Sequence, residues 1–228
     1  MYSGVIMHLA FSESHIGDRD ENLDRFGHYV GLDWFVSFVI DGFKPSSPHY
    51  VDSLFFHLDE KLSALTKSQK ITIDTLEYTI NESFNEASEQ GKASLVIVIG
   101  SGETVNTYTA GDTRAYFLTE NVRTIDHSVA QKMISEGRSP EHSLRVHPYR
   151  RYLTKNVDKL SNIYTLERQE RTKSDGLILC SDGFWSSALS DNEIYNVSSN
   201  TLANELFNTI KDRKLGSRDN ITMMLIVG

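Results

Sequence analysis

The rhythm of apolar and polar residues changes several times along this chain, and each change predicts an element. "SGVIMHLAFSES" and "DRFGHYVG" read as strands, and "FVSFVID" is the most apolar of the early ones. The period then lengthens. Val51, Leu54, Phe55, Leu58, Leu62 and Leu65 fall on one helical face, and Ile73, Leu76, Ile80, Phe84 and Ala87 on another. Strands resume at "ASLVIVIG", and "VNTYTAG" and "TRAYFLT" continue as a meander. "SVAQKMISEG" predicts a short helix closed by Gly137.

The stretch "RSPEHSLRVHPYRRYLTKNVDKLS" has weak periodicity, two prolines and clustered bases, and reads as an excursion from the main core. "NIYTLE" and "GLILCSD" predict strands. "SDNE", Ser190 to Glu193, reads as a capping box that opens a helix. A further helix is expected over Thr201 to Lys214, and "NITMMLIVG" closes as a buried strand. Runs of strands and runs of helices, without regular βαβ alternation, predict an α+β fold with helices outside stacked antiparallel sheets.

Composition narrows the function. The chain has 228 residues and a net charge of −8, which argues against nucleic acid as a partner. It has no apolar run long enough to span a membrane, and no signal peptide is read at its start. The one cysteine, Cys180, cannot form an internal disulfide, so a cytoplasmic setting is expected. Its apolar neighbours favour a small buried hydrophobe over a catalytic thiol.

Four acids share a context. Asp41 and Asp182 each follow an apolar run and precede Gly-Phe. Asp24 and Asp219 also stand at junctions of strand and turn. Asp-Gly alone is a common turn dipeptide. Its repetition after two buried strands is the informative feature. Carboxylates converging on one sheet edge would repel, and hard divalent cations such as magnesium or manganese would compensate them. Histidine and cysteine spacing for zinc is absent.

In order along nearly the whole chain, "GDRDENLD", "VIDGF", "AGDTRAYF", "TIDHS", "LCSDGFW" and "SRDNIT" resemble the motifs of the PPM-type (type 2C) metal-dependent serine/threonine protein phosphatases, in particular the bacterial members. The resemblance implies an αββα sandwich over residues 1–228, with a flap at about 127–163, and two manganese or magnesium ions at one edge. It implies that Asp41 bridges the ions, that the Gly42 carbonyl binds one, that Asp182 and Asp219 complete the first site, and that Asp24 supports the second. Arg19 would hold the substrate phosphate. Water activated by the metals would then hydrolyse phosphoserine or phosphothreonine in a phosphoprotein made by a kinase. A monomer and a signalling role are expected.

The sequence also departs from the family pattern. Leu23 stands where many members carry an acid, which weakens the expected second site. Phe43 replaces a histidine found in eukaryotic members. The Gly-Thr-Thr turn is represented only by "GKAS", Gly91 to Ser94, and Glu89 is the one acid nearby for a weak third ion. Asp112 is expected to hold a turn or pair with Arg114, and His127 to be a structural hydrogen-bonder. Arg145, His147, Arg150, Arg151 and Lys155 form a basic cluster, read either as a solvated flap face or as a dock in which Arg145, Arg150 and Arg151 bind substrate. The alternative function is a catalytically weak or inactive pseudophosphatase that binds a phosphoprotein or regulatory partner.

Overall fold

The computed structural model describes residues 7–43, 48–67, 70–87, 90–172, 175–213 and 218–228. Glu89 and residues 44–47, where the sequence departs from the family pattern after Gly42, lie outside them. The first three strands are β1 (His8–His15), β2 (Asp24–Val30) and β3 (Trp34–Phe43). Helices α1 (Pro48–Leu65) and α2 (Ile73–Glu86) follow, then β4 (Lys92–Ser101), β5 (Thr104–Ala110), β6 (Arg114–Phe117) and β7 (Val122–Arg123). Helix α3 (Val129–Ser135) enters the excursion, which also holds a 3₁₀ turn (Glu141–Val146) and β8 (Val157–Asp158). The chain returns through β9 (Glu167–Thr172) and β10 (Gly176–Cys180), then α4 (Asp182–Trp185), α5 (Asp191–Tyr195), α6 (Asn200–Asp212) and β11 (Ile221–Val227).

Two antiparallel sheets result, ordered β1-β11-β10-β6-β7 and β2-β3-β4-β5-β9, with β8 paired to the start of β4. Side chains alternate across a strand. In β3, Trp34, Val36, Phe38 and Ile40 pack under α1 and α2, while Phe35 and Val39 face the gap between the sheets. In β10 and β11, Ile178, Cys180, Met223 and Leu225 pack under the C-terminal helices, while Leu177, Leu179, Met224 and Ile226 face the gap. These three apolar layers make the αββα sandwich. Cys180 is part of the layer under the helices, fully buried, and burial pushes its thiol up. Among the described residues, no helix is long and apolar enough to cross a membrane.

Several local expectations are corrected. "NIYTLE" is not a strand. Ile163–Thr165 is a 3₁₀ turn braced by Asn162 and Thr165, and the strand follows as "ERQERT". Ser190 sits at the N-cap of α5 but its side chain makes no capping bond. Glu193 is drawn away to the Leu189 amide and the Arg213 guanidinium. "GKAS" is the start of β4 rather than a turn. A third helix, α4, separates β10 from α5. Asp182 is therefore the first residue of a helical turn, and Asp41 lies inside β3, whose pairing with β4 runs on through Phe43.

Candidate active site

Strand parity delivers the first two acids. Asp41 continues the row of Phe35 and Val39 that faces the gap, and Asp24 is its direct neighbour across β2–β3. Both carboxylates therefore emerge where the apolar gap ends. Asp182 and Asp219 arrive from the other sheet, at the exits and entries of β10 and β11.

Asn220 fixes the approach of the N-terminal loop. Its Nδ2 donates to the carbonyls of Ile16 (2.8 Å) and Glu21 (3.0 Å), and its Oδ1 accepts from the Leu23 amide (2.8 Å). The Gly42 amide in turn donates to the Leu23 carbonyl. Gly17 makes the close approach possible. Its φ is +67°, and a Cβ there would lie 2.1 Å from the Asp219 carbonyl oxygen.

The resulting cleft has a volume of about 840 Å³. Arg19, Asp41, Gly42, Asp112, Arg151, Asp182 and Asp219 are among the residues that line it. Asp24 lies beneath, 3% exposed, and neither carboxylate oxygen has a hydrogen-bond partner among the described residues. Burial raises its pKa to about 7, and the charges of Asp182 and Asp219 add to the rise. The Thr222 and Ser181 hydroxyls temper it; Thr222 Oγ1 pairs with Ser14 Oγ at 2.8 Å, while Ser181 Oγ accepts from the Thr222 amide at 3.0 Å and donates to the Asn220 carbonyl at 3.4 Å. Desolvation, then Asp24 and Asp182, push Asp41 well up.

Two arginines supply part of the missing positive charge. Arg19 forks onto Asp219 with contacts of 2.8 and 2.5 Å. Arg150 reaches Asp182 Oδ2 at 2.9 Å. Burial still holds the Asp182 pKa above the usual carboxylate range, against the lowering effect of Arg150.

Asp112 departs from expectation. Arg114 does not pair with it but forks onto Asp126, at 2.7 Å for both contacts. Ser94 Oγ accepts from the Asp112 and Thr113 amides, both at 2.8 Å, and the Trp185 indole donates to the Asp112 carbonyl at 2.7 Å. The side chain is thereby turned into the cleft wall, where burial and Asp182 raise its pKa. The sequence signal for Asp112 was an acid beside a glycine at the end of a strand-like run, as at Asp41 and Asp182.

His127 is a structural hydrogen-bonder. Its Nδ1 accepts from the Gly111 amide and its Nε2 meets Glu167 at 2.8 Å. The basic cluster does not stay together. Arg151 is exposed on the cleft wall, Arg150 turns in to Asp182, and Arg145 leaves the cleft to bind Asp191 (2.6 Å) and the Trp185 carbonyl.

The donor set available to a cation is all oxygen, which suits a hard divalent ion. The orphaned Asp24 oxygens and the raised proton affinity of Asp24, Asp41 and Asp182 fit the same requirement. Among the described residues, no three acidic, histidine or cysteine side chains are drawn together closely enough to enclose an ion as they stand.

The chain matches no protein-family model and no curated protein. Solved structures do match. Serine/threonine phosphatase Stp1 from Staphylococcus aureus superposes with a TM-score of 0.77 at 18% identity, covering 97% of this chain and 95% of that one. The Mycobacterium tuberculosis serine/threonine phosphatase PstP/Ppp gives 0.74 at 17% identity, covering 98% and 99%. The catalytic domain of PstP in complex with two manganese ions gives 0.72 at 16% identity, covering 97% and 98%. The chain thus has the fold of the bacterial PPM-type serine/threonine phosphatases.

Proposed function

We propose that the protein is a metal-dependent phosphatase that removes phosphate from phosphoserine or phosphothreonine in proteins. The observation that carries this reading is Asp24: a buried, unpartnered carboxylate set beside Asp41 and within charge reach of Asp182 and Asp219, at the open edge of this fold. A binding module gains nothing from gathering like charges in a desolvated cleft. An enzyme that recruits cations does.

In this reading Asp41, the Gly42 carbonyl, Asp182 and Asp219 hold two divalent cations, manganese or magnesium, and Asp24 supports the second. Asp112, beside Asp182 in charge terms, is the residue placed to favour a weak third ion. When bound, such ions lower the pKa of a water and neutralise charge on phosphoryl oxygens. The chain's own part is positioning. Arg19, freed from Asp219, offers a planar fork to two phosphoryl oxygens. Its 45% exposed side chain has the freedom to do so. Phe43 in the cleft wall has no proton to give to the leaving alkoxide. The Leu23 side chain offers no oxygen, and its carbonyl already accepts from the Gly42 amide, so the second ion is held more weakly than the first.

Residues 127–163 act as a flap on a single 1–228 unit, with Arg151 the flap base that faces an incoming phosphoprotein. The partner class is a protein phosphorylated by a serine/threonine kinase, and a cytoplasmic monomer in a signalling pair is the expected setting.

The test is hydrolysis of p-nitrophenyl phosphate by the full chain in EDTA, magnesium or manganese, beside Asp182→Asn. Turnover that requires the metal and falls by about 10³-fold in the variant, some 4 kcal/mol of barrier, is the expected result. A folded wild-type protein with no turnover in any metal would move the weight to the pseudophosphatase that binds a phosphoprotein.

A further inference from the structure

Arg150 lies in the excursion, yet its guanidinium is inside the site. Nη1 sits 2.9 Å from Asp182 Oδ2, and the two side chains are only 13% and 11% exposed. The indole of Trp185 stands 5.6 Å beneath the guanidinium carbon. The same ring is covered by Arg114 at 3.4 Å and faces Arg145 at 5.9 Å, so it is the platform on which the basic side chains settle. Arg19, the other arginine on a cleft carboxylate, is 45% exposed. Arg150 is therefore the enclosed one.

The backbone around it makes a short arm with a fixed base. The Val129 amide donates to the Tyr152 carbonyl (2.9 Å), the Thr154 amide to the His127 carbonyl (2.8 Å), and Ser128 pairs with Leu153 in an isolated bridge. Within that frame Arg150 is carried on a turn whose amide bonds the His147 carbonyl at 3.1 Å. The ties of that frame all fall outside residues 147–151.

We propose that Arg150 is a tethered cation that competes with the metal for Asp182, so that loading the site releases the 147–151 turn. The inference rests on the metal reading of the cleft. A guanidinium bonded to one carboxylate oxygen and a divalent ion on the same carboxylate repel each other in a partly desolvated site, although Asp182 Oδ1 stays open. The two arrangements therefore disfavour one another. With the cation absent, Arg150 offsets one charge of a repulsive cluster. With it present, the arginine and its turn swing towards the cleft mouth beside Arg151. Arg150 is then a positioning residue that sets metal affinity and couples it to the flap.

The experiment is calorimetric titration of manganese chloride into the EDTA-treated, dialysed full chain, with hydrogen exchange of the 147–152 amides as a second readout. Arg150→Gln should bind manganese about tenfold more tightly than wild type, because no tethered charge has to be displaced. Arg150→Lys keeps the charge and should stay near wild type. Arg145→Gln loosens the flap anchor without touching Asp182 and should leave the affinity unchanged. Manganese should speed exchange of the turn in wild type and change it little in Arg150→Gln.

Equal or weaker binding by Arg150→Gln overturns the proposal, as does equal tightening by Arg145→Gln, which would mean general loosening. If wild type binds manganese no better than Asp182→Asn does, the metal reading itself fails, and the competition with it. Normal wild-type binding with an unmoved Arg150→Gln removes the competition alone.

Discussion

Two clusters of buried charge meet at Trp185, and they are built on opposite rules. In the first, Arg114 forks onto Asp126, while Asp191 collects the Tyr116 hydroxyl (2.8 Å), Arg123 Nε (3.0 Å) and Arg145 Nη2 (2.6 Å). Charges alternate in sign and their hydrogen bonds close on one another. In the second, Asp24, Asp41, Asp112 and Asp182 bring like charges together, and neither Asp24 carboxylate oxygen has a hydrogen-bond partner among the described residues. The first cluster is complete as folded and holds β6, β7, α5 and the base of the excursion in place. The second is incomplete as folded. That difference separates a structural network from a site awaiting a cation, and neither burial nor charge count alone would separate them.

Opening the complete cluster should have the largest effect. Asp126→Asn leaves Arg114, 1% exposed, without its forked carboxylate, and should cost about 3–5 kcal/mol of stability in urea unfolding. A loss below 1 kcal/mol would mean that the network is not the structural strut described.

The same isosteric change in the incomplete cluster should act in the other direction. The Asp24 carboxyl binds its proton more tightly folded than unfolded, with a pKa of about 7 against 3.8. Its stabilising contribution is present below pH 4 and lost as the pH rises towards 7 and beyond. In EDTA at pH 8, Asp24→Asn should therefore stabilise the protein by about 4 kcal/mol, and the gain should vanish near pH 4. Destabilisation at pH 8 would show that Asp24 is already compensated in the metal-free protein.

A smaller effect is expected at His28, outside both clusters. His28 faces the gap between the sheets, with Nδ1 on the Ser37 hydroxyl at 2.8 Å, and burial lowers its pKa to about 4. His8 adds to the lowering, and the Met7 backbone opposes it. Its contribution is present above pH 6.5 and lost as the pH falls towards 4, opposite in sign to Asp24 over the same window. The Asp24→Asn background should therefore lose about 2 kcal/mol between pH 7 and pH 4.5 that the Asp24→Asn, His28→Gln double variant keeps. Parallel profiles would place His28 in water.

Much of the sandwich was legible because apolar periodicity is a local property. The helices of 48–65 and 73–86 and the strands around Val39, Val96, Leu179 and Met224 carry their period in neighbouring residues. The misread strand was the polar one. β9, "ERQERT", is an edge with an exposed charged face, and such edges show no apolar rhythm. The capping box at Ser190 failed because Arg213, twenty residues on, takes the glutamate.

Alternation along the strands dictates which residues lie on the inward rows, and so which acids could reach a common edge. Parity puts Asp41 behind Val39, and a register with Asp24 opposite needs only the β2–β3 pairing. The ordered motifs from "GDRDENLD" to "SRDNIT" carried the rest of that reading. The tertiary structure alone decided the partners. Arg114 took Asp126 and left Asp112 to the cleft, Arg145 turned to Asp191, and Arg150 crossed to Asp182, thirty-two positions away. Long flexible side chains choose among several carboxylates by small differences in desolvation and reach. Those differences exist only once the elements have packed.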